Sequence, residues 1–126
     1  ESCNEERRRL LGRYREAFRE VDGVELLAQK DYTRSACYNA VVKVDARDEL
    51  YSYLDERGID SNVHYYPNHL LPLYRSYTTH LSVTESEWQR ILSIPLFPDL
   101  CETDQDRVID RVCAFVSGEA AAARQA

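Results

Sequence analysis

Residues 58–74, GIDSNVHYYPNHLLPLY, hold two of the three histidines, three tyrosines and two prolines. A neutral imidazole carries one donor and one acceptor nitrogen, and a phenol serves as either. His64 and His69 therefore suit the polar lining of a binding cleft. The same rings serve equally as hydrogen-bonded members of an aromatic cluster, and the residues leave both readings open. Metal ligation is disfavoured. His64, His69 and His80 with Asp60 would supply four zinc ligands, but catalytic zinc sites pair close-spaced ligands on rigid elements, and His80 falls in a loop.

The elements around this stretch must position it. Apolar and polar residues alternate from Ile59 to Tyr66, so a strand there turns Ile59, Ser61, Val63 and Tyr65 one way and Asp60, Asn62, His64 and Tyr66 the other. Pro67 ends it, having no N–H for a ladder, and leaves His69 in an irregular aromatic loop. Leu70 to Tyr77 adds a helical turn or two. Upstream, Tyr38, Ala40, Val42 and Val44 alternate with Cys37, Asn39, Val41 and Lys43, which predicts a largely buried strand over 37–44. Asp45 is placed to cap a helix whose inner stripe is Ala46, Leu50, Tyr53 and Leu54 and whose end is Gly58. A strand, a helix and a strand with short joints predict a right-handed crossover if the two strands share a sheet.

Ser2 and Glu5 have capping-box spacing, and Leu10, Leu11, Tyr14, Phe18 and Val21 then recur at helical intervals up to Gly23. The arginines between them alternate with glutamates, the pattern of a solvated helix face rather than a phosphate-binding surface. Val24 to Ala28 is a short strand. Thr84 and Glu87 form a second capping box before Trp88, Ile91 and Leu92, and the segment from Ile94 to Phe97 is extended between prolines. Thr103 with Asp106 starts a last helix, with Val108, Ile109, Val112, Phe115 and Val116 inward and Gly118 as its stop. The sum is an α+β domain over residues 1–118, with a small three- to four-stranded, mainly antiparallel sheet flanked by helices mainly on one face. The Ala-rich tail, 119–126, is expected to fray.

A chain of 126 residues is long enough for one core without covalent staples. Its net charge of −6 argues against a nucleic-acid partner, which calls for a basic stripe to displace counterions. No apolar run approaches the ~20 residues of a membrane helix, and the start, ESCNEERRRL, lacks the apolar region of a signal peptide, so no membrane partner and a cytoplasmic location are expected. The four cysteines, at 3, 37, 101 and 113, form no CxxC pair and are read as reduced thiols, with Cys113 buried on a helix and inert.

There is no glycine-rich phosphate loop, GxSxG elbow or HExxH motif, and only four glycines occur in all. What does stand out is an ordered set of short motifs: RDEL at 47–50, LDERGI at 54–59, VHYYPNHLLPLY at 63–74 and TESEWQRILSIPLFPDL at 84–100. In this set the chain resembles the C-terminal small domain of DegT/StrS-type nucleotide-sugar aminotransferases. The arginine-rich first helix and the closing ETDQDRVIDRV helix match the same region, and only the tail lies outside it.

The resemblance implies the aspartate aminotransferase fold and a pyridoxal-phosphate enzyme that converts a nucleotide-linked keto sugar to an amino sugar, usually as a homodimer. It places the cofactor's lysine, the acid paired with its ring nitrogen and its phosphate cup in a large N-terminal domain, which becomes the expected partner. The lysines of this chain are Lys30 and Lys43, neither in the part of the family that carries the Schiff base. A nucleophilic lysine also needs desolvation or cationic neighbours, and no such set is recognisable. By resemblance the chain binds no cofactor alone, has no catalytic residue of its own and is inactive in isolation, while His64, Tyr66 and His69 contact the nucleotide-sugar substrate, donating hydrogen bonds to sugar or diphosphate oxygens. The alternative is a free-standing binding or assembly module derived from that domain, holding a nucleotide sugar or a partner protein.

Overall fold

The computed structural model describes residues 2–77 and 80–118. In chain order its elements are α1 (Ser2–Phe18), β1 (Glu25–Leu26), β2 (Ala40–Lys43), α2 (Arg47–Asp55), two 3-10 turns (Asn68–Leu70 and Pro72–Tyr77), α3 (Ser82–Arg90), β3 (Ile91–Ile94) and α4 (Glu102–Val116). Among the described residues the sheet has three strands in the order β1-β2-β3, both pairings antiparallel. The fold is α+β, as the periodicities predict. No helix among these residues is long and apolar enough to cross a membrane, and the Ala-rich tail lies outside them.

The core is built from the faces that the sequence pattern selects. Leu10, Leu11, Tyr14 and Phe18 of α1, Leu50, Tyr53 and Leu54 of α2, and Val108 and Val112 of α4 close over Ala40, Val42, Leu92 and Ile94 of the sheet. Each fully buried leucine contributes roughly 1.5–3 kcal/mol from the apolar surface it removes from water. Cys113 is partly buried against this core, and burial raises its thiol pKa above the usual range. The arginines of α1 are less idle than a solvated face implies. Arg9 and Arg13 bond across to Glu102, Gln105 and Asp106 of α4, and the fully buried Gln105 donates to the Leu10 carbonyl at 2.7 Å, fixing the register of the two helices. On the opposite face of β2 from Val42, Lys43 is held at 2.7 Å by Glu87 of α3.

Several local expectations fail for identifiable reasons. The stretch 59–66 is not a strand: Asn62 makes a single antiparallel bridge to Ser93, and Asn62 Oδ1 captures the Val63 N–H at 2.8 Å, taking it from any ladder. The right-handed crossover is therefore absent. β2 pairs with β1 and β3, which come from before it and from well after it in the chain. β3 begins at Ile91 rather than near Ile94, because Leu92 and Ile94 are buried opposite Val42 and Ala40, and Pro95 then stops the ladder. The strand expected over 37–44 starts only at Ala40, since Cys37 turns at φ 51°.

Helix α1 ends at Phe18, and Gly23, at φ 87°, serves the later turn where a side chain would press on Val116. The expected caps also differ. Ala46, Leu81 and Cys101 occupy the N-cap positions of α2, α3 and α4, none with a side-chain cap bond. Asp45 instead accepts from Arg90 at 2.8 Å. Ser2 already belongs to α1, whose N-cap position lies outside the described residues.

Candidate functional site

The segment from Asn62 to His69 runs antiparallel to the α3–β3 unit, and that unit anchors each expected site residue in turn. Asn62 and Ser93 exchange backbone hydrogen bonds at 3.0 and 2.7 Å. His64 Nδ1 lies 2.9 Å from Ser93 Oγ. Tyr66 meets the Trp88 ring edge-on, 5.1 Å between centroids. His69 Nε2 lies 3.1 Å from Glu85 Oε1. Partners fall from 93 to 85 as the segment climbs from 62 to 69, so the three residues are spaced along a track and do not converge on one point.

His64 opens onto a cleft of about 510 Å³, lined also by Asn39, Tyr51, Asp60, Asn62 and the buried Ser93. Asp60, Asn62 and His64 do line it, but so does Ser61, which the alternation put on the other side, so the segment presents consecutive residues and not one face of a strand. Tyr66 departs from that group to reach Trp88. Ser93 occupies Nδ1 of His64, so Nε2 remains as the ring's other hydrogen-bonding atom in the cleft. Sequence reasoning missed Asn39 and Tyr51. Asn39 sat in a run read as buried strand, and the one trace of Tyr51 is an aromatic outside the inner stripe of α2, 43% exposed.

The other end of the track is electrostatic. Glu85 Oε1 gathers His69 Nε2 at 3.1 Å, His80 Nδ1 at 3.3 Å and the Leu81 N–H at 3.3 Å. These contacts, the His69 bond foremost, hold the Glu85 carboxyl below its ordinary pKa. The His80 side chain is 78% exposed yet tied to this carboxylate. The zinc set weighed from sequence is thus divided: His64 and Asp60 line the cleft, while His69 and His80 share Glu85. Among the described residues, no group of three His, Cys, Asp or Glu is arranged to hold a metal ion.

Neither lysine suits an aldehyde cofactor. Lys43 Nζ is engaged by Glu87 at 2.7 Å and by Glu25 at 4.0 Å, acidic neighbours where a Schiff-base amine is activated by cationic ones. Lys30 is exposed, in the connection between β1 and β2. Neither lysine therefore has the surroundings that a Schiff base with pyridoxal phosphate requires, and no chemical step is derived through that group.

A sequence model of the DegT/DnrJ/EryC1/StrS aminotransferase family matches residues 1–113. Among solved structures, DesV from S. venezuelae in complex with a ketimine intermediate is 33% identical and superimposes with a TM-score of 0.86, covering 91% of this chain and 32% of its own. A DegT DnrJ EryC1 StrS aminotransferase from Brucella abortus is 35% identical, with a TM-score of 0.81 over 90% of this chain and 31% of its own. The aminotransferase TlmJ from Streptoalloteichus hindustanus is 28% identical, with a TM-score of 0.86 over 92% and 32%. The chain spans about a third of the length of these structures.

Proposed function

The chain belongs to the DegT/DnrJ/EryC1/StrS aminotransferase family, and from that premise we propose that residues 1–118 are the small domain of an enzyme that converts a nucleotide-linked keto sugar to an amino sugar. The family depends on pyridoxal phosphate, which in this reading is held by a large partner domain in a cytoplasmic homodimer. This chain contributes one wall of the substrate cleft. His64, Tyr66 and His69 are its substrate contacts, held in place by Ser93, Trp88 and Glu85. Ser93 orients the His64 ring, Trp88 sets the angle of the Tyr66 phenol, and the rim that the track forms helps to exclude water.

The observation that carries the reading is the cleft where Asp60, Asn62 and His64 lie with Asn39 and Tyr51. It offers several short hydrogen-bonding groups beside one exposed aromatic ring, a lining suited to a polar ring with many hydroxyls. The one hydroxyl–imidazole pair in the cleft, Ser93 Oγ with His64 Nδ1 at 2.9 Å, involves a buried serine, which suits a ring-orienting contact in a wall.

The test has two parts. The native protein from its source is expected to have about three times the mass of this chain, given the share of its relatives that the chain spans. A native mass equal to that of the 126 residues overturns the reading in favour of a free-standing module. The isolated chain, incubated with pyridoxal phosphate, dialysed and reduced with borohydride, is expected to carry no stoichiometric adduct. An adduct on Lys30 or Lys43, or transamination by the chain unaided, also overturns it.

A further inference from the structure

We infer that Glu85 is a positioning residue that locks the neutral form of His69 as the Nε2–H tautomer, so that in this form His69 meets its ligand through Nδ1 as a hydrogen-bond acceptor and recognises a hydroxyl rather than a phosphate oxygen. The argument starts from what a carboxylate can do. An ionised carboxylate accepts hydrogen bonds and donates none. His69 Nε2, 3.1 Å from Glu85 Oε1, must therefore carry the proton. A neutral imidazole has only one N–H, which leaves Nδ1 with its lone pair.

Two observations secure the premise that Glu85 is ionised. Three nitrogens, from His69, His80 and the Leu81 backbone, converge on Oε1, the setting of a charged acceptor. Its carboxyl pKa is lowered first of all by the His69 hydrogen bond, which a neutral ring can make. The His69 side chain is only 13% exposed, so the carboxylate bond is not diluted by free exchange with water. Among the described residues, Nδ1 of His69 has no hydrogen-bond partner.

His64 provides the contrast. Its partner is a serine hydroxyl, which donates or accepts, so Ser93 orients the ring without choosing its tautomer. The two histidines of one segment thus differ in kind: His64 is adaptable, and His69 is committed as an acceptor. A phosphate or diphosphate oxygen offers no proton to a lone pair, whereas a sugar hydroxyl does. That the hydroxyl belongs to a sugar rests on the function proposed above; the tautomer does not.

The inference is tested on the full 126-residue chain, labelled with nitrogen-15, by long-range proton–nitrogen spectra of the imidazoles at neutral pH. His69 is expected to show a single Nε2–H species. Glu85→Ala is expected to move it towards the averaged pattern of a free imidazole, and Glu85→Gln, whose amide oxygen still accepts, to restore the wild-type pattern. The His64 signals stay in place in both variants. An Nδ1–H or doubly protonated His69 in the wild type overturns the inference, and that spectrum decides even if a variant does not fold. Inorganic pyrophosphate is expected to leave the His69 resonances unmoved, and a saturable shift overturns the ligand class. A cofactor adduct on either lysine would remove the proposed function and leave these spectra as they are.

Discussion

Tyr66 meets Trp88 edge to face, centroids 5.1 Å apart and planes at 80°, while the Arg47 guanidinium lies 5.6 Å from the centre of the same indole. Trp88 is thus the support on which the middle of the candidate track rests. Edge-to-face pairs contribute about 0.5–1.5 kcal/mol beyond the area they bury. A double-mutant cycle of Tyr66→Leu and Trp88→Leu, followed by urea unfolding, is expected to give a coupling energy in that range. Additive losses would show that the rings are neighbours without being partners.

Ser93 ties two levels of structure together, its backbone pairing with Asn62 and its hydroxyl with His64. Ser93→Ala removes only the second. It is expected to cost about 0.5–1.5 kcal/mol, the net worth of one hydrogen bond, with the fold intact. The accompanying sign is a change in the His64 ring signals with those of His69 unaltered; unchanged His64 signals would mean that the hydroxyl does not hold the ring.

Tyr14 is fully buried and donates its hydroxyl to the Pro95 carbonyl at 2.8 Å, just where β3 ends. Burial raises the phenol pKa well above its ordinary 10.0. The unfolded chain therefore loses this proton first as pH rises, and the stability that the protonated phenol contributes is complete below about pH 10 and declines above it. Tyr14→Phe is expected to cost about 0.5–1.5 kcal/mol at neutral pH and to flatten the alkaline limb. Parallel alkaline limbs in the two proteins would refute the linkage.

Glu85 acts at the other end of the pH scale. Its carboxyl titrates below the ordinary 4.5 in the folded chain, so its contribution is present above about pH 4.5 and is lost as pH falls through the lower folded value. Glu6, drawn down chiefly by Arg9, and Glu87, drawn down chiefly by Lys43, add to the same acid limb. Glu85→Gln is expected to make the fall in melting temperature on acidification shallower than in the wild type. An unaltered slope would show that the two histidines add nothing to folding through this carboxylate.

Much of the fold was legible because core faces announce themselves by period. The stripes of α1 and α4, that of α2 without the exposed Ala46, and the alternation through Ala40 and Val42 survive in the buried core. Element ends were less legible. Asp45, Thr84 and Thr103 have the chemistry of caps, but Asp45 finds Arg90, and all three helices begin elsewhere without side-chain caps. A cap bond competes with every other partner in reach, and the local sequence does not report those partners.

The candidate site divides in the same way. Composition and spacing singled out His64 and His69, and the run of motifs around them pointed to the family that residues 1–113 match and, by that resemblance, to Tyr66. The alternation put Asp60, Asn62 and His64 on one side of their segment, and the structure gathers them together with Ser61 from the other side. Only the tertiary structure decided that this group meets Asn39 and Tyr51, that Tyr66 leaves it for Trp88, and that His69 answers to Glu85. The reason is physical. A side chain's period is a property of its neighbours in the chain, whereas its hydrogen-bonding partner, and with it the proton it offers or withholds, comes from elements that folding brings from elsewhere in the chain.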